Sequence, residues 1–201
     1  MNAARAYARL SSFGPPVVRT SEAAALLGLS AVSAAQSLRR LSASGLLKPL
    51  RHGLFWVAAG PIDPWVALGY IAAPYPAYAS LYSALYLRGA LSQLPVVHYA
   101  VTLGRSQRVA TSAGDFSLHH VAPELFDGFE SLPSGARLAT LEKAFFDVAY
   151  LAGTRSRLFS RPPELDLPKG FQSAQLRLWL RRIPNGPRRV QTERRLAAML
   201  G

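Results

Sequence analysis

Apolar residues along the first sixty positions recur at helical spacing, then give way to the shorter runs of a hairpin. The stretch NAARAYARLSSF (2–13) reads as a helix that stops before Gly14-Pro15-Pro16, and VVRT (17–20) as a short strand. A second helix follows, with Ala24 and Leu27 directed inward and Ala23 beside them. Ser21 or Thr20 is expected as its N-cap, and Glu22 lies in the first turn, where a carboxylate suits the helix dipole. Gly28 ends it, Leu29 packs at the turn, and Ser30 can cap a third helix. There Val32, Ala35, Leu38 and Leu41 recur every third residue and are expected to share one buried face. Gly45 closes that helix. LLKPLRHG and LFWVA then read as two strands meeting at His52-Gly53, with Lys48, Arg51 and His52 on or beside the hairpin tip.

The opposite face of the third helix carries Ser33, Gln36, Ser37 and Arg40, with Arg39 at its edge and no acid. Small residues let a helix approach a groove floor, Gln pairs with adenine, and Arg pairs with guanine or phosphate. Two short helices across a tight turn, followed by a basic hairpin, form the order of a winged helix-turn-helix. On this reading Ser33, Gln36, Ser37 and Arg40 face bases, while Arg39, Lys48, Arg51 and His52 hold phosphates.

PIDPW opens a new unit, with Asp63 as N-cap and Pro64 at the first helical position. Residues 64–87 contain no charge and are long enough to span a bilayer. The PYP at 74–76 breaks them, so two buried helices, 64–73 and 77–89, are expected instead. The second brings Leu81, Ala84, Leu85 and Arg88 close together, with Tyr82 and Tyr86 alongside. Strands are expected at 96–103, 107–111 and 115–121, forming a small antiparallel sheet. A helix then runs from about Thr140 to Leu151, burying Leu141, Ala144, Phe145 and Val148; Glu142, Lys143 and Asp147 are free to stay exposed or to pair. RPPELDLPKG (161–170) reads as an extended linker. Two amphipathic helices close the chain, one burying Leu176, Leu180 and Trp179, the other Val190, Leu196, Ala197 and Leu200. The expected organisation is α+β: a winged-helix domain over 1–60, then a mixed domain over 61–201 whose residues 152–201 form a basic helical tail.

Charge sharpens this picture. The net +12 splits into +6 over residues 1–60, −2 over 61–150 and +8 over 151–201, and twenty of the 23 cations are arginine. Two basic ends around a near-neutral middle suit a polyanionic partner. Arg181, Arg182, Arg188, Arg189, Arg194 and Arg195 form the densest cluster, fit for phosphates flanking the recognised site or for an acidic partner. There is no cysteine, which excludes disulfides, thiolate zinc sites and cysteine nucleophiles and agrees with a cytoplasmic location. The N-terminus has no apolar run of signal-peptide length.

His119 and His120 follow Asp115, but adjacent strand residues face opposite sides and do not readily share a metal. H-E-x-x-H, Walker, G-x-S-x-G and G-x-G-x-x-G patterns are all lacking. A non-enzymatic binding protein without a cofactor or a metal is therefore expected. The competing reading is a protein- or RNA-interaction module that uses the same basic surface without operator-specific reading.

The segment RTSEAAALLGLSAVSAAQSLRRLSASGLLKPLRHGLFWV resembles the N-terminal domain of the AbiEi-like antitoxins of type IV toxin–antitoxin (abortive infection) systems. SALYLRGALSQLP, VTLGRSQRVATSAGDFSLHHVAPELFDG and ATLEKAFFDVAYL are similar, in that order, to the family's central blocks, so the resemblance covers roughly residues 17 to 152. It implies an autorepressor that binds double-stranded DNA at its own operon promoter. It also implies an antitoxin for a nucleotidyltransferase-fold toxin, with a role in phage defence.

Overall fold

The computed structural model describes residues 2–152 and 165–201, so part of the linker expected at 161–170 lies outside the described residues. The chain divides into two compact units. The first comprises Met1–Ala67 together with Ala110–Asp115; the second comprises Leu68–Val109 and Phe116–Gly201.

The first unit runs α1 (Ala3–Ser11), β1 (Val17–Arg19), α2 (Thr20–Leu27), α3 (Ala31–Ala43), β2 (Lys48–Arg51) and β3 (Leu54–Trp56). The strands form an antiparallel sheet in the order β1-β3-β2, with Val18 opposite Phe55 and Lys48 opposite Trp56. Local chemistry sets each boundary. Asn2 caps α1 by accepting from the Arg5 N–H at 2.9 Å. The N-cap of α2 is Arg19, not Thr20 or Ser21, because Glu22 reaches back to accept the Arg19 N–H at 2.7 Å. That contact is one half of a capping box and needs no hydroxyl at the cap. Gly28, at φ 66°, provides the left-handed turn that ends α2, and Ser30 accepts from the Ser33 N–H to start α3.

Ala6, Leu10, Val18, Ala23, Leu27, Leu38, Leu41, Leu47, Phe55 and Val57 make the core of this unit, with Leu29 packed against it. Ala23, not Ala24, is the fully buried alanine of α2. In α3 the buried stripe is Ala34, Leu38 and Leu41. The expected set with spacing three fails at its first member, since Val32 is 68% exposed. Each step of three falls about 60° short of a full turn, so four such positions sweep about 180° around the helix. A stripe at i, i+4, i+7 stays on one side.

A six-stranded sheet in the order β6-β7-β5-β4-β9-β8 has most of its residues in the second unit, the ends of β6 and β7 within Ala110–Asp115 being counted with the first. Its strands are β4 (Ala77–Ala79), β5 (His98–Thr102), β6 (Gln107–Thr111), β7 (Gly114–His120), β8 (Phe129–Ser131) and β9 (Arg137–Ala139). The sheet is mixed, not antiparallel: β5 pairs with β7 in parallel, as does β4 with β9, while β4–β5 and β8–β9 are antiparallel. The hairpin partner β6 takes the outer edge, so β7 returns beside β5. Strand order of this kind is set by packing and leaves no local mark in sequence.

The helices are α4 (Pro64–Ala72), which contains the division between the units, α5 (Leu81–Leu87), α6 (Leu141–Leu151), α7 (Ser173–Arg182) and α8 (Pro187–Leu200). Asp63 caps α4 through the N–H groups of Trp65 and Val66. Residues 77–79, expected as helix, are instead a strand inside the sheet, buried on both faces. A short apolar run of this kind reads alike as helix or buried strand. Among the described residues no helix is long and apolar enough to cross a membrane.

Helix α6 packs against α5, α7, α8 and β9, and Lys143 through Leu151 are all buried. Leu141, expected inside, is only half-buried. Lys143 and Asp147, one turn apart, are fully buried and paired at 2.7 Å. Asp147 Oδ2 also accepts from Ser80 Oγ at 2.7 Å and from the Tyr78 hydroxyl at 3.0 Å, which ties α6 to β4 and to the residue preceding α5. In α8, of the four expected apolar contacts, only Leu196 is buried; Val190, Ala197 and Leu200 face outward and Thr192 takes the inner position. Val190 and Leu196 lie six residues apart, about 240° around a helix, and cannot share a narrow face.

Gly128 (φ 71°) sits under Trp179, and a Cβ there would lie 2.6 Å from the indole and 2.9 Å from Lys143 Cγ. Gly128→Ala is therefore expected to lower unfolding free energy by about 1–3 kcal/mol through both strain and overpacking. Urea unfolding of the two proteins measures it directly. An unchanged midpoint would show that Trp179 gives way without cost.

Candidate nucleic-acid interface

Helix α3 begins at the Ser30 cap and buries Ala34, Leu38 and Leu41, which leaves a defined outward side. Val32, Gln36, Arg39, Arg40 and Ala43 are exposed there, with Ala35 half-buried. Ser33 and Ser37, expected to face bases, are also half-buried, and the Ser33 hydroxyl lies 3.0 Å from that of the cap residue Ser30. No acidic residue lies anywhere on this helix.

Beside α3 an open groove of about 770 Å³ is lined by Ala35, Arg39, Ser42 and Ala43 of the helix. Its other side is Thr20 together with Pro49, Arg51, His52, Gly53 and Phe55 of the hairpin region. The fold thus brings Arg39 to the same concavity as Arg51 and His52, although twelve or more positions separate them in sequence. Gln36 and Arg40 lie outside the groove, on the exposed surface of α3.

Lys48 is placed differently from the expectation. It lies at the open end of the hairpin, opposite Trp56, and not at the His52-Gly53 tip. Its ammonium donates to the Gly60 carbonyl at 2.6 Å. The hairpin starts at Lys48, so register alone puts that side chain at the base, about 10 Å from the turn at one strand rise per residue.

The arginines at the end of the chain are partly engaged. Arg182 pairs with Asp127 and donates to the Glu124 carbonyl. Arg188 lies 4.0 Å over the Tyr150 ring, and Arg189 donates to Asn185 Oδ1 at 2.6 Å. Arg181 and Arg194 are exposed and Arg195 is half-buried. Among the described residues, Arg182 is the one member of the six that has an acidic partner.

The histidines of β7 diverge as adjacent strand residues must. His119 is buried, with Nε2 2.9 Å from Ser117 Oγ; burial first, and the nearby Arg108 second, push its pKa down to about 4. His120 is exposed, its Nδ1 3.1 Å from the Gly104 carbonyl. Among the described residues no three His, Cys, Asp or Glu side chains gather as a metal site.

An acid-free helix and a basic hairpin around one groove, on a small helix-rich unit, fit a DNA-binding domain. Residues 5–58 match the family model described as transcriptional regulator, AbiEi antitoxin, so that segment of the chain is similar to this family. That family is one of transcriptional regulators and antitoxins. No curated protein matches the chain.

The sequence reading put Val32 and Ala35 on the buried face, whereas Val32 is exposed and Ala35 lines the groove, and it did not name Ser42 or Ala43, which line the groove too. A readable signal existed for Val32: testing Ala34-Leu38-Leu41 as the buried stripe places it outside.

Proposed function

We propose that the first unit is a winged helix-turn-helix that reads double-stranded DNA in the promoter of its own operon. The carrying observation is the convergence of Arg39 with Arg51 and His52 beside an exposed, acid-free α3. In this arrangement α3 enters the major groove and the β2–β3 hairpin is the wing. Gln36 and Arg40 face base edges, Ser33 and Ser37 flank them, and Arg39, Arg51 and His52 hold phosphates. Lys48 has a secondary place, since its ammonium is held at the hairpin base. The family match over residues 5–58 supports the regulatory role. The resemblance of the central blocks supports the rest: autorepression and neutralisation of a nucleotidyltransferase-fold toxin, in the cytoplasm, as part of phage defence. The exposed arginines of α7 and α8 are available for flanking phosphates or for the partner.

A gel shift on the DNA upstream of the protein's own gene, against a scrambled duplex and over a range of salt, tests this. The expected result is selective binding whose logarithmic affinity falls linearly with log salt, with a slope of about −0.9 per phosphate contact. Equal, weak binding of both duplexes would remove the operator-reading role.

A further inference from the structure

Val32 is an apolar, β-branched side chain at the second position of α3, and 68% of it is exposed. Single exposed apolar residues are ordinary on protein surfaces. This one differs in its place. It shares the outward side of α3 with Gln36, one turn on, and Arg39, two turns on, opposite the buried Ala34, Leu38 and Leu41. It also stands next to the capped start of the helix, the end whose residues meet base edges when such a helix enters a major groove.

The side chain is suited to one kind of contact. Inside a helix a valine holds essentially one χ1 rotamer, so its two methyl groups point in a fixed direction and lose little freedom on binding. It has neither donor nor acceptor to offer a base. The apolar feature that the major groove presents is the C5-methyl of thymine. Cytosine carries only a hydrogen at that C5 position, and the donors and acceptors of the base edges would lose water against valine without a replacement hydrogen bond.

On the reading that α3 is the DNA-reading helix, we propose that Val32 packs against a thymine methyl and makes the protein prefer thymine over cytosine at that position. Gln36, about 6 Å further along the helix, is then placed to take an adenine within two base-pair steps. Val32 is thus a specificity-determining residue, and its exposure in the free protein is the unoccupied half of that contact.

The test uses the full chain and a duplex that the wild-type protein selects from a randomised library. Each thymine is replaced in turn by deoxyuridine, which removes the methyl group and leaves the hydrogen-bonding edge intact. For wild type, one position per bound subunit is expected to lose about fourfold in affinity, the value of one buried methyl. For Val32→Ala the same replacement is expected to cost nothing further, whereas Gln36→Ala should keep the full fourfold loss. Val32 is exposed, so the melting temperature of Val32→Ala should match wild type and separate recognition from folding. Selective binding in which no thymine shows a Val32-dependent methyl effect overturns the inference and leaves the DNA-reading role standing. A selection that yields no preferred duplex overturns both.

Discussion

Asp147→Ala is expected to lower unfolding free energy by about 3–5 kcal/mol, the usual cost of stripping one partner from a buried ion pair. Both Asp147 and Lys143 are 0% exposed, and one carboxylate serves the Lys143 ammonium, the Ser80 hydroxyl and the Tyr78 hydroxyl together. Its loss strands an ammonium whose remaining neighbours include the rings of Phe146 at 5.1 Å, Trp179 at 5.5 Å and Tyr78 at 6.0 Å. Such faces attract a cation, by up to about 2 kcal/mol when desolvated, but do not replace a counter-charge.

The reciprocal variant should behave differently. Burial raises the Asp147 pKa, and the Lys143 charge is the largest influence opposing that rise. Lys143→Met removes the opposition, so the carboxyl rises further and escapes the missing charge by taking a proton. A carboxyl whose folded pKa lies above its unfolded value stabilises most below the unfolded pKa, and that contribution is lost as pH rises through the folded pKa. Lys143→Met should therefore be less destabilised at pH 5 than at pH 8, whereas Asp147→Ala, which leaves the lysine as the titratable group, should not show that direction of pH dependence. Urea unfolding at the two pH values decides it. Equal losses for both variants at both pH values would mean that shape, not charge, governs the site.

The second large effect concerns binding. The double variant Arg39→Ala/Arg40→Ala is expected to lose about 2–4 kcal/mol on the selected duplex, roughly 30- to 1,000-fold. Both side chains are exposed and neither has an acidic partner among the described residues, so folding should be unaffected. The single variants divide the loss. Arg39 lines the groove with Arg51 and His52, so Arg39→Ala should weaken selected and scrambled duplexes alike and flatten the salt slope by about one unit. Arg40 lies outside the groove, so Arg40→Ala should weaken the selected duplex more. Lys48→Ala should matter less than Arg51→Ala, because its ammonium is already bound to the Gly60 carbonyl. Equal losses on both duplexes for Arg40→Ala would sink its base-reading role.

Sequence by itself determined what depends on neighbours a few positions away. Gly28 and Ser30 bound α2 and α3, Asp63 caps α4, and the hairpin turn falls at His52-Gly53, because caps and turns are local chemistry. The acid-free side of α3 with its arginines was legible for the same reason. Tertiary structure alone decided three other things. It made Ala77–Ala79 a strand within a mixed sheet, since strand order and parallel pairing arise from packing between distant segments. It turned α6 from an amphipathic helix into one buried on all sides, where Lys143 and Asp147 have to pair because neither reaches water. And it joined Arg39 to Arg51 and His52 while holding Lys48 at the hairpin base, since register and long-range packing, not residue type, decide which charges share a groove.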